Sequence, residues 1–74
     1  MSVVTEQIRA EMVANVLSLL VVSGDVVEPG QAVVIMESMK MEIPVLAEQG
    51  GTVSTVSVAE GDVVQEGDVM VELT

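Results

Sequence analysis

Lys40 is the one lysine of this 74-residue chain, and it lies near the middle of the sequence in the run Glu37-Ser38-Met39-Lys40-Met41-Glu42. The chain has no histidine and no cysteine, so no other side chain is an obvious participant in covalent chemistry. An isolated lysine is most often an ordinary surface residue. A carrier protein, however, needs one attachment point, because a second exposed amine of similar reactivity would invite acylation at the wrong place. The flanking methionines and the internal repeat of the chain favour a covalent attachment point.

The composition predicts a small all-β domain. Half of the residues are apolar, yet there is no phenylalanine, tyrosine or tryptophan, so the core must consist of aliphatic side chains. Valine occurs 18 times, and β-branched residues together occupy 25 of the 74 positions. Such residues fit a pleated sheet better than a helix. A chain this short can build only a thin core, and we expect residues 1–74 to form one domain.

The charge and the missing residue types exclude several functions. Twelve acidic and two basic residues give a formal net charge of −10, which repels phosphate backbones and anionic lipid. There is also no aromatic side chain to stack on bases, so we expect neither a nucleic-acid partner nor a membrane partner. Without cysteine or histidine, a disulfide, a zinc site and a histidine base are excluded, and no metal site is expected.

The sequence predicts a cytoplasmic protein. Its first residues lack the basic start and the apolar stretch of a signal peptide. The longest apolar-rich run, residues 16–22, is far shorter than a membrane span. The acidic residues are expected to form mainly a solvated, solubilising surface rather than a specific docking site.

The chain repeats itself at an offset of 37 residues. Residues 24–30, with the sequence Gly-Asp-Val-Val-Glu-Pro-Gly, return as residues 61–67, with the sequence Gly-Asp-Val-Val-Gln-Glu-Gly. Val16 and Val21 likewise return as Val53 and Val58. Neither half can bury its apolar face alone, so the two copies are expected to pack about a pseudo-twofold axis. Repeated valines should then be equivalent buried positions.

Each half contains four short predicted strands bounded by turn residues. Glycine supplies the positive φ that tight turns require, and proline fixes φ at a turn corner. Pro44 falls inside a predicted strand and places that strand at an edge or a bend. The fold class is therefore all-β, a flattened eight-strand barrel or two-sheet sandwich. The predicted strands are Glu6–Arg9, Asn15–Val22, Val26–Val27, Ala32–Glu37, Met41–Leu46, Thr52–Val58, Val63–Val64 and Val69–Leu73.

The repeat also predicts where Lys40 lies. The turn at residues 38–40 joins the fourth and fifth strands. Its equivalent in the other half is the place where the eighth strand ends and the first begins. Lys40 is therefore expected at the end of the molecule opposite both termini, on a hairpin tip where an attached group can swing most widely.

Residues 37–41 and the glycine turns around them resemble a known family. The run Glu-Ser-Met-Lys-Met looks like the attachment sequence of biotin carboxyl carrier domains, whose hallmark is Met-Lys-Met at a hairpin tip. The resemblance covers essentially the whole chain, and the chain is most similar to the small stand-alone biotinylated proteins. Residues 10–14 depart from the common Ala-Pro-Met-x-Gly opening, with Glu11 for proline and Ala14 for glycine. The extra loop that covers the biotin in some acetyl-CoA carboxylase carriers has no counterpart.

The resemblance implies a covalent carrier rather than an enzyme. A biotin protein ligase would acylate the amine of Lys40 with biotin, and Met39 and Met41 would be recognised by that ligase. Glu37 and Ser38 complete the motif. The biotinyl group would then carry a carboxyl group from a biotin carboxylase site to a carboxyltransferase site. The lysine is a tether and not an acid or base, so the module contributes proximity and no catalysis.

The methionines also bear on the choice of cofactor. Lipoyl domains resemble this fold but usually show Asp-Lys-Ala around the lysine. Thioethers are flexible and apolar, which suits a ligase groove, although either Met39 or Met41 could instead tuck back into the barrel. Two alternatives to a biotin carrier stay open, a lipoyl carrier and an unmodified barrel that acts as a scaffold. Glu37 and Glu42 are expected to be solvated strand-end charges more than recognition elements.

Several apolar residues away from the lysine have two interpretations. Leu17, Leu20 and Val22 are larger and more apolar than the serines and the alanine that lie 37 positions later. We favour asymmetric core filling for them, and the alternative is an exposed patch that docks a partner. Three further methionines are expected in the core: Met12, Met36 and Met70.

Overall fold

The computed structural model describes residues 3–74, which form eight β-strands and no helix. Most strand bounds agree with the prediction. The second strand ends at Leu19 instead of Val22, and the sixth ends at Val56 instead of Val58, because the backbone there leaves for the opposite sheet. The strands are β1 (Glu6–Arg9), β2 (Ala14–Leu19), β3 (Val26–Val27), β4 (Ala32–Ser38), β5 (Met41–Leu46), β6 (Gly51–Val56), β7 (Val63–Val64) and β8 (Val69–Leu73).

The strands form two four-stranded sheets, with the orders β1-β8-β6-β3 and β5-β4-β2-β7. All paired neighbours are antiparallel. A shift of 37 residues converts β1 into β5 and β2 into β6, and so converts one sheet order into the other. The predicted fold class, a two-sheet barrel with a pseudo-twofold repeat, is therefore confirmed. Pro44 lies in β5, which is an edge strand as expected.

The repeat extends to the hydrogen-bonding register. Val16 of β2 lies opposite Met36 of β4, and Val53 of β6 lies opposite Leu73 of β8, which is the same pair 37 residues later. The register shifts by one residue directly after each of these valines. Such a bulge bends the strand and increases its twist, so each long strand curls toward the other sheet. The two halves are therefore equivalent at the level of single residues.

The core lies between the two sheets and is entirely aliphatic apart from its methionine sulfurs. Val16 and Val53 are 1% and 2% exposed, so this pair is equivalent as predicted. Val21 is buried too, but its partner Val58 is only half-buried, so that equivalence holds in part. The buried apolar residues are Ile8, Ala10, Ala14, Val16, Val21, Val27, Val33, Val34, Met36, Ala47, Val53, Val64, Met70, Val71 and Leu73.

Four residues that were expected in the core are exposed instead. Leu17, Leu20 and Val22 expose 38%, 50% and 63% of their surface, and Met12 exposes 39%. Asymmetric core filling is therefore wrong for the first three. Leu17 is the residue inserted by the bulge in β2, while Leu20 and Val22 belong to the segment that crosses to the other sheet. Met12 lies in the bend before β2 and not in a strand.

Glu6 stabilises the turn between β5 and β6 through its carboxylate. The backbone N–H groups of Glu48, Gln49 and Gly50 donate to the Glu6 oxygens at 2.8, 3.0 and 3.3 Å. The turn is tight at Gly50, because a Cβ there would lie 2.6 Å from the carbonyl oxygen of Val27. Desolvation by burial raises the pKa of the Glu6 carboxyl, but the three hydrogen bonds together outweigh it and lower the pKa below its ordinary value of 4.5. The 37-residue repeat does not predict this contact, since the partner of Glu6 is Ile43.

The Glu6→Gln variant is expected to lower the free energy of unfolding at pH 7 by about 1–2 kcal/mol, because a neutral amide oxygen replaces a carboxylate that accepts three N–H groups. The folded-state pKa is depressed, so this stabilisation is present above the ordinary pKa of glutamate and is lost as the pH falls through the folded-state value. Denaturant titrations at pH 7 and in acid measure the difference. Glu66→Gln, at an exposed turn residue, is the control. A difference between Glu6→Gln and the native chain that persists in acid would contradict this account.

Candidate attachment site at the β4–β5 hairpin

Lys40 lies at the tip of the hairpin formed by β4 and β5. The two strands pair without a break from Ile35 opposite Pro44 to Ser38 opposite Met41, which leaves Met39 and Lys40 as a two-residue turn. Both turn residues have positive φ, 53° for Met39 and 65° for Lys40. Two consecutive left-handed residues are the geometry of a type I′ turn, whose twist matches that of the flanking strands. The hairpin is therefore as short as an antiparallel connection ordinarily becomes.

The turn backbone is strained, and the strand pairing holds it in place. Residues other than glycine, asparagine and aspartate rarely adopt the left-handed region, and each one that does costs about 1 kcal/mol or more. Met39 and Lys40 adopt it together. The long β4–β5 pairing holds this conformation in place. A shift of the pairing register by one residue would move side chains from the core face to the solvent face. The turn thus presents Lys40 in a fixed backbone geometry.

The side chains around the tip are exposed. Met39 is 91% and Met41 is 65% exposed, and Lys40 is exposed as well. Neither methionine therefore tucks back into the barrel. Ser38 and Glu37 at the end of β4 are half-buried. The candidate site is a protruding amine between two thioethers.

Two carboxylates stand directly behind the tip. Glu37 of β4 lies opposite Glu42 of β5 in the hairpin register. Like charges that face each other across a strand pair repel, so this pair does not stabilise the hairpin. The sequence predicted that both carboxylates are solvated charges at strand ends. Glu42 is exposed, as expected, whereas Glu37 is half-buried.

The molecule is elongated, with extents of 39 × 19 × 17 Å, and the strand pairing shows which segments lie near the hairpin tip. Asn15 at the start of β2 pairs with Glu37 near the tip. Beyond β2 the chain crosses to the other sheet, where the N–H of Gly24 donates to the carbonyl of Val53 beside Leu73. The start of β1 pairs with the end of β8 at that same place. The tip is therefore next to the start of β2, whereas the start of β1 pairs with the end of β8 on the other sheet.

The site is not a cavity. A cleft of about 280 Å³ opens between the edge strands β1 and β5, and Ile8, Arg9 and Val45 are among its lining residues. Neither Lys40 nor its flanking methionines line this cleft. Within residues 3–74 no group of three or more acidic residues is placed to hold a metal ion. The same residues contain no helix long and apolar enough to cross a membrane.

The geometry defines what the site can do. An amine on a four-carbon chain, at an exposed and rigid turn, is accessible to an enzyme that acylates it. The described residues around Lys40 contribute carboxylates, thioethers and a hydroxyl. An all-β barrel that presents one lysine on a two-residue turn has the architecture of a covalent carrier domain.

The chain belongs to the biotin/lipoyl attachment family. The sequence model of this family, described as a biotin-requiring enzyme, matches residues 6–73. The chain is 55% identical over 65 residues to a homolog of biotinylated protein TB7.3 from Mycobacterium leprae, covering 88% of this chain and 92% of that protein. It is 48% identical over 67 residues to the biotin/lipoyl attachment protein of Bacillus subtilis, covering 90% and 92%. The resemblance read from the sequence is therefore confirmed.

Two solved structures that are similar to this chain show the same fold. The urea carboxylase of Kluyveromyces lactis matches with a TM-score of 0.86 and 32% identity, over 93% of this chain and 6% of that protein. The lipoyl domain of the 2-oxoglutarate dehydrogenase complex from Azotobacter vinelandii matches with a TM-score of 0.72 and 29% identity, over 84% of this chain and 78% of that domain. The same fold therefore occurs in a carboxylase and in a lipoyl domain.

Proposed function

We propose that this protein is a biotin carrier whose Lys40 is covalently biotinylated. The observation that carries the proposal is the position of the chain's single lysine, on an exposed two-residue turn between Met39 and Met41. The names of the M. leprae and B. subtilis relatives support biotin or a lipoyl group as the cofactor. The proposed unit is the single domain of residues 1–74.

The chemistry of attachment is an acyl transfer that the carrier itself does not catalyse. A biotin protein ligase activates the carboxyl group of biotin, and the neutral amine of Lys40 attacks that carbonyl carbon. The leaving group departs, the nitrogen loses a proton, and an amide forms. The amide is uncharged, so the formal net charge of the chain changes from −10 to −11, by one unit. Glu37 and Glu42 then border a neutral arm.

The proposed role of the biotinyl arm is to carry a carboxyl group between a biotin carboxylase and a carboxyltransferase. The fold similarity to a urea carboxylase supports partners of this kind. The carrier raises the effective concentration of the biotin ring at each active site, because a tethered group no longer has to diffuse freely. An exposed tip leaves the barrel outside the active site while the arm enters it.

A lipoyl carrier is the second candidate, and the fold similarity to a lipoyl domain favours it. The flank of the lysine argues for biotin. Lipoyl domains usually present Asp-Lys-Ala, whereas this tip presents Met39 and Met41, both strongly exposed. Binding to a ligase groove that buries both thioethers is stabilised, because their apolar surface is removed from water. The same groove would disfavour an aspartate, because burying a carboxylate without a hydrogen-bonding partner costs free energy.

The purified apo protein is expected to gain the mass of one biotinyl group with a biotin protein ligase, and to react far more slowly with a lipoate ligase. Replacing Met39→Asp and Met41→Ala together should shift the ratio of the two initial rates toward lipoylation by about tenfold or more, because specific pockets discriminate side chains by such factors. Aspartate tolerates the positive φ of position 39, so the turn should persist. Intact-mass time courses with each ligase give both rates.

The matched control is Val26→Asp, which adds the same charge at a 73% exposed apolar residue of β3, away from the hairpin. This control should leave both rates unchanged. A native chain that accepts only the lipoyl group would overturn the biotin assignment. An unchanged rate ratio in the double variant would instead show that the ligases recognise the barrel surface and not the two methionines.

A further inference from the structure

The methionines within residues 3–74 differ widely in exposure. Met36 and Met70 are 2% and 0% exposed and belong to the core. Met39 and Met41 are 91% and 65% exposed, and they flank the lysine of the proposed attachment site. Met12, at 39%, lies between the two groups. The most oxidisable sulfurs of the described chain therefore stand directly beside the proposed acyl acceptor.

We propose that Met39 and Met41 form a redox modification site that controls whether Lys40 can be acylated. The inference rests on the proposed function, since it concerns recognition of the same tip. The oxidant is hydrogen peroxide or a related peroxide. A sulfur lone pair attacks one peroxide oxygen, the O–O bond breaks, an S–O bond forms, and water leaves. The thioether is oxidised by two electrons to a sulfoxide while the peroxide is reduced.

The modification is reversible without damage to the fold. A methionine sulfoxide reductase removes the oxygen as water with two electrons from a dithiol. Met39 and Met41 contribute almost nothing to the core, and the hairpin is held by backbone pairing between β4 and β5. A sulfoxide at either position stays hydrated in the folded protein. The same oxidation at Met36 or Met70 would place a polar S=O group in a dry core and destabilise it.

Oxidation at the tip changes the features that a ligase would recognise. A thioether is flexible, apolar and polarisable, and it adapts to an apolar groove. A sulfoxide is polar and chiral, and its oxygen would lose hydrogen bonds to water on entering such a groove. Lys40 itself is untouched by the oxidant. The switch therefore acts on recognition of the acceptor and not on its nucleophile.

The switch is expected to act on the apo protein only. Once the biotinyl amide has formed, the ligase is no longer needed, and a peroxide at the tip does not break the amide. Peroxide would thus stop new loading while the existing biotinylated pool is retained.

The test compares acylation of the apo protein before and after mild treatment with hydrogen peroxide. Peptide mass spectrometry is expected to show sulfoxide at Met39 and Met41 while Met36 and Met70 stay reduced. The kcat/KM of a biotin protein ligase for the oxidised chain should fall by about tenfold, the factor expected when an apolar contact is replaced by an unpaired polar group. Methionine sulfoxide reductases of both stereospecificities, with a dithiol, should restore the rate.

The control chain carries Met39→Leu and Met41→Leu, which keeps an apolar flank that peroxide cannot oxidise. Its acylation rate should be the same before and after peroxide. Loss of the rate in this variant after treatment would place the sensitive sulfur elsewhere and overturn the inference. If the double-leucine variant is itself a poor ligase substrate, the reductase treatment of the oxidised native chain is the deciding measurement. Recovery of its acylation rate would show that methionine oxidation caused the loss.

Two further outcomes separate this inference from the proposed function. An untreated native chain that accepts no biotin overturns the proposed function and this inference with it. A native chain that is acylated at the same rate before and after oxidation of Met39 and Met41 overturns the inference alone.

Discussion

Lys40→Arg is expected to abolish biotinylation completely while leaving the stability of the fold unchanged. Arginine keeps a positive charge and a long flexible stem at an exposed position, so the hairpin loses no contact with the core. The guanidinium group is not nucleophilic at neutral pH, because it stays protonated. The only other amine of this chain is its α-amino group. Streptavidin blotting and intact mass after incubation with ligase measure the modification, and denaturant titration measures the stability.

A relocated lysine provides the matched control. Arg9 is the other basic residue of the chain, and it lies exposed on β1, where its guanidinium donates to the carbonyl of Gly67 at 2.7 Å. The double variant Lys40→Arg with Arg9→Lys keeps one exposed lysine but removes it from the methionine-flanked turn. We expect no biotinylation of this variant. A streptavidin signal from it would mean that any exposed lysine suffices, and a signal from Lys40→Arg alone would remove Lys40 from its proposed role.

Truncating Val16 or Val53 to alanine is expected to lower the free energy of unfolding by about 1–3 kcal/mol each, because each change deletes buried methyl groups and leaves a void. The two valines occupy equivalent places, opposite Met36 and Leu73, and each is nearly fully buried. The two costs should therefore be similar. In a small domain with about 5–15 kcal/mol of stability at most, either change is a large fraction of the total. Denaturant titration followed by circular dichroism gives the values.

The exposed leucines supply the controls for this experiment. Leu17→Ala and Leu20→Ala remove more atoms than the valine changes, but these leucines are 38% and 50% exposed. Their cost should be clearly smaller than that of Val16→Ala. Val21→Ala should cost more than Val58→Ala, since Val21 is buried and Val58 only half-buried. Near-zero costs at both Val16 and Val53 would contradict the pseudo-twofold core.

The fold was predictable from the sequence because its signal is repeated. The turn Gly24-Asp25 returns as Gly61-Asp62, and in both copies the glycine N–H donates to the carbonyl of a core valine in the other half, at 2.8 Å. Glycine at positive φ is needed for such a turn, so the sequence marks the boundaries directly. The β-branched residues between the turns then indicate strands. Two copies of one pattern gave two copies of one sheet.

The exposed apolar residues were not predictable, because a bulge has no reliable sequence signature. Leu17 is apolar and lies between the buried Val16 and the half-buried Leu19, so its hydrophobicity alone favours a place in the core. The inserted residue changes the alternation for the rest of β2. Leu20 and Val22 lie in the segment that crosses from β2 to the other sheet. Their burial depends on which other segment packs over them, and the hydrophobicity of the residues themselves does not predict that packing.

The sequence by itself determined the four strands of each half, the equivalence of the two halves and the position of Lys40 between them, since these follow from turn residues and from the 37-residue offset. Only the tertiary structure decided which side chains meet across the repeat. Glu6 stabilises the turn at residues 48–50, whereas its counterpart Ile43 has no carboxylate to offer. The tertiary structure also decided that Met39 and Met41 stay in solvent. Hydrogen bonding and burial depend on distances between segments that are remote in sequence, and the order of residues along a chain does not contain those distances.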